Sequence, residues 1–413
     1  MRILQLVTYP TRLVRHGGQA RVANLRLALE AAGHAVETLA VYEPEHYGGD
    51  AVGRHDVAFP RDSRHRQSAL PFCTDLASGL FAAEDDAAYA QIHRFVVELA
   101  PQIVTLEQPW LLPLVERLRE DGAPPFSLVY SSQNIEAPLK REILGGFAPA
   151  EVDEVARRIH DCEARAALAA DLVIACTEAD AGVLRSHGAR NVIVASNGIV
   201  ERTVDPAVLR DWKWHLRGGG HALFVGSAYP PNGAGFWDMM GVSLAFLPPD
   251  QRILAVGGVA GLLTSSMEYK RWEGINASRL VPAGFQTEQA LAAMIALSSA
   301  IILPITRGGG SNIKTAEAIL SGKPIVGTAK SFRGYEALLG LPHVYVEDEP
   351  ARFRSRLVAL LAGPLPPAPP DDLELRRSVL WTRTLRDVPS AIMTAAGDRA
   401  GATAAGPART HGR

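Results

Sequence analysis

The 413-residue sequence contains little cysteine and no excess of charge. Its three cysteines, Cys73, Cys162 and Cys176, are too few for a disulfide framework and do not have the spacing of metal ligands. A reducing cytosol fits this content best, so we expect a cytoplasmic location. The net charge is −2, with 42 basic and 44 acidic residues, which argues against a large nucleic-acid-binding surface. We therefore expect no nucleic-acid partner.

Long hydrophobic runs are also missing from the sequence. No run of about 18 apolar residues occurs, so we expect no transmembrane segment. Met1 is followed at once by Arg2 and a short apolar stretch, without the apolar region and cleavage site of a signal peptide, and we expect none. The composition, 47% hydrophobic and 21% charged, is that of a globular protein. A length of 413 residues suits two domains of roughly 200 residues each.

Short apolar runs alternate with helical patterns from the first residues onward. Residues Ile3 to Thr8 predict a strand, and residues 19–32 have apolar side chains at helical spacing. Gly33 ends this helix, and residues 35–41 predict a second strand. Strand, helix and strand in this order form a parallel, right-handed βαβ unit.

A second alternation of strands and helices begins after the middle of the chain. Residues 199–221 show no clear element and end in the sequence R-G-G-G-H, which is typical of an interdomain linker. Residues 222–225 then predict the first strand of a new set. Two successive sets predict an α/β fold with two doubly wound domains, at residues 1–200 and 201–372.

The most informative stretch of the second domain is a strand, a glycine turn and a helix. Residues 301–304 predict a buried strand, residues 308–310 are all glycine, and Ser311 is the predicted N-cap of a helix that Gly322 ends. The first N–H groups of a helix have no intrahelical partner, and the helix dipole favours an anion there. Because glycines also let the backbone approach closely, the pattern predicts a phosphate-binding site.

Two side chains of this helix strengthen the prediction. Lys314, in the first turn, adds positive charge, and Glu317, on the same face, is suited to accept hydrogen bonds from ribose hydroxyls. The structural alternatives are an ion pair between Lys314 and Glu317, and a turn that binds no ligand. The stretch is neither a Walker loop nor a dinucleotide fingerprint, because neither G-x-x-x-x-G-K-[ST] nor G-x-G-x-x-G after the first strand is present.

The sequence P-x-x-R-G-G-G-S-N-I-K-T-A-E-A-I-L-S-G-K-P-I-V resembles the donor-binding signature of the family 4 retaining glycosyltransferases, in the branch with G-G-G-[ST]-x-x-K-x-x-E-A. The resemblance implies the GT-B fold, in which two Rossmann-like doubly wound domains face a cleft. It also implies transfer of a sugar from a nucleotide diphosphate to an acceptor hydroxyl, with retention of configuration. Glu317 matches the second acid of the family's E-x7-E motif, which binds the ribose, whereas Gly309 replaces the first acid.

The same family branch opens its second domain with V-G-S-x-x-x-P-N, which stands here from Val225 to Asn232. The more common G-R-x-x-x-x-K pair is missing, so Lys314 and Arg307 would carry the phosphate charge. We find no D-x-D at the end of an apolar strand, and we expect no metal and no other cofactor. The resemblance assigns the donor to Gly226, Ser227, Asn232, Arg307, Gly309, Gly310, Ser311, Asn312, Lys314 and Glu317.

The first domain resembles the acceptor side of the same family. Its glycine pair lies in the pattern G-G-x6-L-x3-L-x3-G-H-x-V, for which a plain tight turn is the alternative. The loop Q-N-I-E resembles the family's H-N-x-E, and an amide in place of the histidine can orient a substrate but cannot transfer protons. The residues assigned to this side are Gly17, Gly18, Gln133, Asn134 and Glu136.

Five further features carry weaker predictions. Residues 44–72 are rich in arginine and histidine and predict a solvated loop, or alternatively a loop that meets an anionic or lipid-linked acceptor through peripheral membrane contact. Glu163 and the turn at 196–198 match family positions, and we expect structural roles for them. Residues 373–395 are expected to form a helix that returns to the first domain, and residues 396–413 a disordered tail.

Three functions remain open from the sequence. A glycosyltransferase of bacterial polysaccharide, glycolipid or natural-product synthesis is the first, with a nucleotide diphosphate sugar as its donor. A partner subunit that binds a nucleotide sugar without turnover is the second, because Gly309 and Gln133 replace the family's acid and histidine. A sugar-nucleotide epimerase of the same fold is the third. The sugar, the base and the acceptor are not specified by the sequence.

Overall fold

The chain folds into two compact units. The computed structural model describes residues 1–70, 73–145, 149–216, 220–363 and 369–404. The N-terminal unit comprises Met1–Ser196 and the chain from Leu385 onward, and the C-terminal unit comprises Asn197–Thr384. The predicted boundary lay at residue 200 and the predicted return at residue 373, so the chain returns later than predicted. The predicted linker at 217–221 lies partly outside the described residues.

Within the described ranges, all paired strands are parallel, as the alternating pattern predicted. They form a seven-stranded sheet in the N-terminal unit and a six-stranded sheet in the C-terminal unit. The strands are β1 (Arg2–Val7), β2 (Ala35–Tyr42), β3 (Val57–Ala58), β4 (Ile103–Leu106), β5 (Ser127–Ser131), β6 (Leu172–Ala175), β7 (Val192–Val194), β8 (His221–Val225), β9 (Arg252–Val256), β10 (Leu280–Gly284), β11 (Ala300–Leu303), β12 (Ile325–Gly327) and β13 (Val344–Val346).

Both sheets have the strand order of a doubly wound fold. The first runs β3-β2-β1-β4-β5-β6-β7 and the second runs β10-β9-β8-β11-β12-β13. The order therefore reverses between β1 and β4 in one sheet and between β8 and β11 in the other. In open α/β sheets, ligands bind beyond the carboxyl ends of the strands at such a reversal. The loops that follow these four strands are thus the places where each unit would hold a ligand.

Helices connect the strands throughout the described chain. They are α1 (Gly17–Ala31), α2 (Arg64–Gln67), α3 (Thr74–Glu84), α4 (Asp86–Leu99), α5 (Leu112–Glu120), α6 (Glu136–Leu144), α7 (Val152–Ala169), α8 (Glu178–Ser186), α9 (Pro206–His215), α10 (Pro230–Met240), α11 (Val259–Ser265), α12 (Met267–Arg271), α13 (Glu273–Arg279), α14 (Glu288–Leu297), α15 (Ile313–Ser321), α16 (Pro350–Leu361), α17 (Leu373–Arg377), α18 (Trp381–Thr384) and α19 (Val388–Ala404).

Two differences from the predicted elements have local causes. The sequence of residues 82–99 has the spacing of one continuous helix, but the structure divides it between α3 and α4, because Asp85 interrupts the run and accepts a hydrogen bond from the Ala88 N–H at 3.0 Å. The stretch predicted to show no element contains α9, which Asp205 caps through the Ala207 N–H at 2.7 Å. The sequence Asp-Pro at the start of α9 is a helix signal that the prediction overlooked.

The end of the chain also differs from the prediction. Residues 373–395 form α17, α18 and the start of α19 rather than one helix. The last helix packs against β5, β6 and α1 of the N-terminal unit and buries Ile392 completely. It extends to Ala404, past residue 396 where disorder was predicted, because alanine is the strongest helix former. Residues 405–413 lie outside the described chain.

No helix in the described part of the chain is long and apolar enough to cross a membrane. The three cysteines are buried and unbridged.

One glycine of α3 is required by close packing. A Cβ atom on Gly79 would lie 1.7 Å from the carbonyl oxygen of Trp110, a backbone atom that cannot rotate away. We expect Gly79→Ala to destabilise the N-terminal unit by about 3 kcal/mol or more, the upper end of overpacking costs. Gly182 in α8 has open space around it, so Gly182→Ala should stabilise by about 0.5–1 kcal/mol. Chemical denaturation of both variants tests this contrast, and equal effects would contradict it.

Candidate functional site

The glycine loop of the C-terminal unit follows β11 and leads into α15. Gly308 and Gly310 have φ angles of 101° and 61°, in the left-handed region that favours glycine. The helix begins at Ile313 with Asn312 as its N-cap, so the prediction that Ser311 is the N-cap was wrong. The predicted strand, turn and helix are otherwise present and lie at the reversal between β8 and β11.

Ser311 serves a different local purpose from capping. Its hydroxyl oxygen accepts a hydrogen bond from the Asn197 N–H at 2.8 Å, and its carbonyl accepts one from Asn197 Nδ2 at 2.7 Å. The Asn197 carbonyl in turn accepts from Tyr335 Oη at 2.7 Å. Ser311 thus fixes the glycine loop to the turn at 197–198, which gives this family-matched turn the structural role that we expected.

The first turn of α15 is not capped by its own N-cap side chain. Asn312 makes no capping hydrogen bond, and its Nδ2 has no partner among the described residues although it is buried. The first N–H groups of a helix have no acceptor within the helix itself. Helix α15 has nine residues, and its N-terminus offers an anion several N–H donors and the positive end of the helix dipole.

Lys314 adds a charge to this end of the helix. Its Nζ donates to Asn232 Oδ1 at 2.5 Å and lies 6.0 Å from the ring centre of Phe224. Within the described ranges, no carboxylate lies at ion-pair distance from Lys314. Burial lowers the pKa of Lys314 to about 8. An anionic ligand would supply the missing countercharge and would favour the protonated amine.

The loop after β8 reaches the same lysine through Asn232. This residue lies in the first turn of α10, and its Nδ2 donates to the Ser227 carbonyl at 3.1 Å. A Cβ atom on Gly226 would lie 3.2 Å from Val259, so the loop is closely packed. The structure therefore joins the two predicted loops through the hydrogen bond between Lys314 and Asn232.

Two arginines lie near the glycine loop. Arg307 was predicted to contact phosphate, but its side chain is half-exposed and its Nε lies 3.8 Å from Asp238 Oδ2. Arg333 was not predicted, and its Nη1 donates to the Gly308 carbonyl. It follows β12 in a short irregular segment whose sequence has no periodic pattern, so nothing in the sequence connected it with the loop.

Glu317 is buried, with 8% of its surface exposed, and is paired with an arginine that the sequence did not indicate. Arg202 Nη1 contacts Glu317 Oε1, and Arg202 Nε contacts Glu288 Oε2. The alternative ion pair between Lys314 and Glu317 is not formed. Burial raises the pKa of Glu317, and the charge of Arg202 opposes that rise. Lys314 and Glu317 line a small cavity together with apolar residues of β8 and β11.

In the N-terminal unit, the predicted glycine pair forms the first turn of α1 rather than a loop before it. A Cβ atom on Gly18 would lie 2.6 Å from Tyr9 Oη and 2.8 Å from Gln133 Oε1. Gln133 Nε2 donates to Tyr9 Oη at 2.9 Å. Gly17 starts the helix, with His16 as its N-cap. The close approach of Gly18 to Tyr9 and Gln133 therefore explains why a glycine stands at this position.

The other two predicted residues of this unit lie on the segment after β5. Asn134 Nδ2 donates to Glu136 Oε1 at 3.3 Å. Glu136 is buried, and burial raises its pKa to about 7, although the nearby positive charge of Lys140 acts in the opposite direction. Lys140 is itself paired with Asp75, with Nζ and Oδ2 2.6 Å apart. Gln133, Asn134 and Glu136 therefore share one strand end, at the carboxyl edge of the sheet.

Glu163 of α7 holds this segment in place. Its two carboxyl oxygens accept hydrogen bonds from the N–H groups of Glu136 at 2.6 Å and Ala137 at 3.0 Å, at the start of α6. This geometry is consistent with the structural role that we expected for it. Burial raises the pKa of Glu163 to about 8, although both backbone hydrogen bonds act in the opposite direction.

Glu107, directly after β4, was not singled out from the sequence. It is fully buried, and its Oε1 accepts hydrogen bonds from Thr105 Oγ1 at 2.8 Å and Gln5 Nε2 at 3.1 Å. Glu107 directly follows a strand at the sheet reversal, and this position in the sequence could have marked it as a candidate site residue. Burial raises the pKa of Glu107.

One group of potential metal ligands occurs among the described residues. Glu43, Glu45 and His46 have ligand atoms within 4.8 Å of one another. Arg66 pairs with both of these glutamates, so their charge is already compensated. Glu45 and His46 lie in the region 44–72 that was predicted to be irregular, and none of the three is a predicted site residue.

No protein-family model matches the sequence, and no curated protein matches it. Similar solved structures include a sucrose-phosphate synthase from Thermosynechococcus elongatus, at 15% identity over 98% of both chains with a TM-score of 0.65. The lipopolysaccharide outer core galactosyltransferase WaaB aligns at 13% identity over 95% of this chain and 99% of its own, with a TM-score of 0.60. Anabaena HepE in complex with UDP-glucose aligns at 15% identity over 98% and 100%, with a TM-score of 0.57.

At these identities the comparisons establish the fold. With two parallel sheets of doubly wound order, the chain has the GT-B fold that the sequence predicted.

The raised pKa of Glu163 gives a prediction about stability. Between its ordinary value of 4.5 and the folded value of about 8, the native state keeps a proton that the unfolded state releases. The free energy of unfolding should therefore fall as the pH rises through this window. Glu163→Gln cannot titrate, so its stability should change less between pH 5 and pH 8 than that of the wild type. Denaturant titrations at several pH values test this, and parallel pH profiles would contradict it.

Proposed function

We propose that this protein is a glycosyltransferase that moves a sugar from a nucleotide diphosphate donor to an acceptor hydroxyl. The observation that carries the proposal is the end of α15. There, Lys314 has no carboxylate partner among the described residues, and it lies beside a glycine loop and a helix start that its own N-cap side chain leaves uncapped. Such an arrangement is suited to the diphosphate of a donor. The GT-B fold of the chain supports this placement, and the similar structure of HepE was determined in complex with UDP-glucose.

The diphosphate would be the leaving group, so negative charge develops on it during transfer. Fixed donors that stabilise this charge lower the barrier, because they need no reorganisation at the moment of reaction. The amides of Gly309 and Gly310, the first amides of α15 and the amine of Lys314 would act in this way. Glu317 would accept hydrogen bonds from the ribose. With these donors in place we propose transfer without a metal, and with retention of configuration as in the family that the sequence resembles.

The other predicted donor residues take supporting roles in this proposal. Asn232 orients Lys314, and Ser227 orients Asn232 through its carbonyl. Ser311 fixes the loop through Asn197. Arg307 would contact the phosphates only after leaving Asp238, whereas Arg333 already holds the loop at Gly308 and is the stronger second basic residue.

On the N-terminal unit we propose that the segment after β5 faces the acceptor. Gln133 is held by Tyr9 and would orient the acceptor through its amide, without proton transfer. Glu136 has a pKa raised to about 7, so it can exchange a proton near neutral pH. We infer a cytosolic location from the three unbridged cysteines. A lipid-linked acceptor with peripheral membrane contact at residues 44–72 belongs to the same proposal.

A nucleotide-sugar-binding subunit without turnover is the second candidate. It is favoured by Gly309, which stands where the family has an acid, and by Gln133, which stands where the family has a histidine. Neither substitution removes the phosphate-binding features of α15, so binding without transfer is compatible with the same site.

A donor screen followed by turnover measurements separates these functions. Thermal shifts with UDP, GDP, ADP and CDP sugars identify the donor, because a ligand that binds the native state raises its melting temperature. Release of nucleotide diphosphate that depends on an acceptor supports the transferase. Binding without release supports the subunit, and conversion of the donor sugar without an acceptor supports the epimerase. Loss of turnover in chelator that Mg²⁺ or Mn²⁺ restores would contradict a metal-independent reaction.

Lys314 should be the main charged ligand of the diphosphate. We expect Lys314→Ala to lower kcat/KM by on the order of 10²–10³, which is the usual effect of removing one group that stabilises the charge of the transition state. Affinity for the nucleoside diphosphate should fall, whereas affinity for the free nucleoside should change little. Lys323, whose Nζ donates to the Ala296 carbonyl at 2.5 Å away from this loop, provides the matched control as Lys323→Ala. Equal losses for nucleoside and diphosphate would show that Lys314 does not bind the phosphates.

A further inference from the structure

Only one of the two carboxylate oxygens of Glu317 has a partner in the described structure. Arg202 contacts Oε1, and no described residue donates a hydrogen bond to Oε2. The side chain is nevertheless buried, one turn into α15, and lines the same small cavity as the lysine that would bind the diphosphate. Glu317 therefore has one oxygen that the protein fixes and one that a ligand can use.

Arg202 is held at this position from two directions. Its guanidinium bridges Glu317 and Glu288, a residue at the start of α14 whose side chain is 74% exposed. The backbone after it is fixed by the Asp205 N–H, which donates to Gln289 Oε1 at 3.2 Å. Helix α9 then packs along α14. The segment that carries Arg202 is thus tied to α14 on both sides of the ion pair.

Ribose hydroxyls need an acceptor, and an ionised carboxylate is acceptor-only, whereas a protonated one is not. A buried carboxylate without a countercharge tends to take up a proton. Lys314 does not supply that countercharge, because its amine is directed at Asn232. Of the described residues, Arg202 alone forms an ion pair with Glu317.

We propose that Arg202 is a positioning residue for donor binding, which keeps Glu317 ionised and turned so that its second oxygen accepts the ribose hydroxyls. This inference rests on the proposed function, since it names the part of the same site that distinguishes a ribonucleotide from a deoxyribonucleotide. Arg202 would touch Glu317 and not the substrate. Its contribution should therefore appear in selectivity for the ribose and in the pH dependence of binding, and not in the contact with phosphate.

The test uses the full chain and isothermal titration. Dissociation constants are measured for UDP, GDP, ADP and CDP and for their 2′-deoxy forms, at pH 6 and pH 8. The wild type should prefer the ribonucleotide of the base that it binds. Arg202→Ala should weaken binding of that ribonucleotide about tenfold and binding of the deoxy form much less. The loss of a hydrogen bond to a charged group commonly lowers affinity by this much. The loss should be larger at pH 6, because Glu317 without its countercharge takes up a proton more readily.

Three further variants separate a positioning role from a structural one. Arg202→Lys keeps the charge and should restore part of the ribose preference. Glu288→Gln removes the outer partner of Arg202 and should leave the preference nearly unchanged. Glu317→Gln should abolish the ribose preference together with the pH dependence of that preference. Melting curves identify any variant that does not fold. If Arg202→Ala does not fold, the ribose preferences of Arg202→Lys and Glu317→Gln still test the inference.

The outcomes are distinguishable. An unchanged ribose preference in Arg202→Ala, or equal weakening of both nucleotide forms at both pH values, would overturn the inference. A wild type that binds diphosphates without preferring ribose would overturn it while leaving the diphosphate site intact. A wild type that binds none of the four diphosphates would refute the proposed function, and the inference with it.

Discussion

The reversal of strand order between β8 and β11 is the constraint on which the C-terminal unit depends. Because the helices that follow these two strands diverge, the carboxyl ends of the strands are not covered by either connection. The loop after β8 delivers Asn232 and the loop after β11 delivers the glycines and Lys314. Every interaction of the proposed donor site is made by a residue that this reversal brings to the same edge, or by one that holds such a residue in place.

Within this edge, two opposite charges that are three residues apart in sequence have separate partners. Lys314 donates to a neutral amide, and Glu317 is neutralised by Arg202. An ion pair between them would have satisfied both and would have left neither available to a ligand. Their separation leaves a cation beside the helix start and an anion with one unused oxygen one turn further on. A diphosphate joined to a ribose has the complementary order of charges and hydroxyls.

The sequence predicted the fold well, and it predicted the site unevenly. Strands and helix starts that carry local signals, such as β11 and the glycines at 308–310, lie where they were expected. The parts of the site that the sequence did not indicate are formed by residues distant along the chain. Arg202 and Arg333 approach α15 and the glycine loop from segments with no periodic pattern, and such contacts depend on the tertiary fold. The N-cap was misassigned because Ser311 forms a tertiary hydrogen bond in place of the local one.

The place of α9 in the fold affects how the C-terminal unit would be isolated. A fragment that starts at the predicted strand after the glycine-rich segment would contain the glycine loop, Lys314 and Glu317, yet it would lack Arg202 and the helix that packs on α14. A fragment that starts at Asn197 would retain the arginine and the turn that fastens Ser311. Expressed fragments that carry the proposed nucleotide site should therefore begin upstream of the first strand of their sheet, since Arg202 precedes that strand and contacts Glu317.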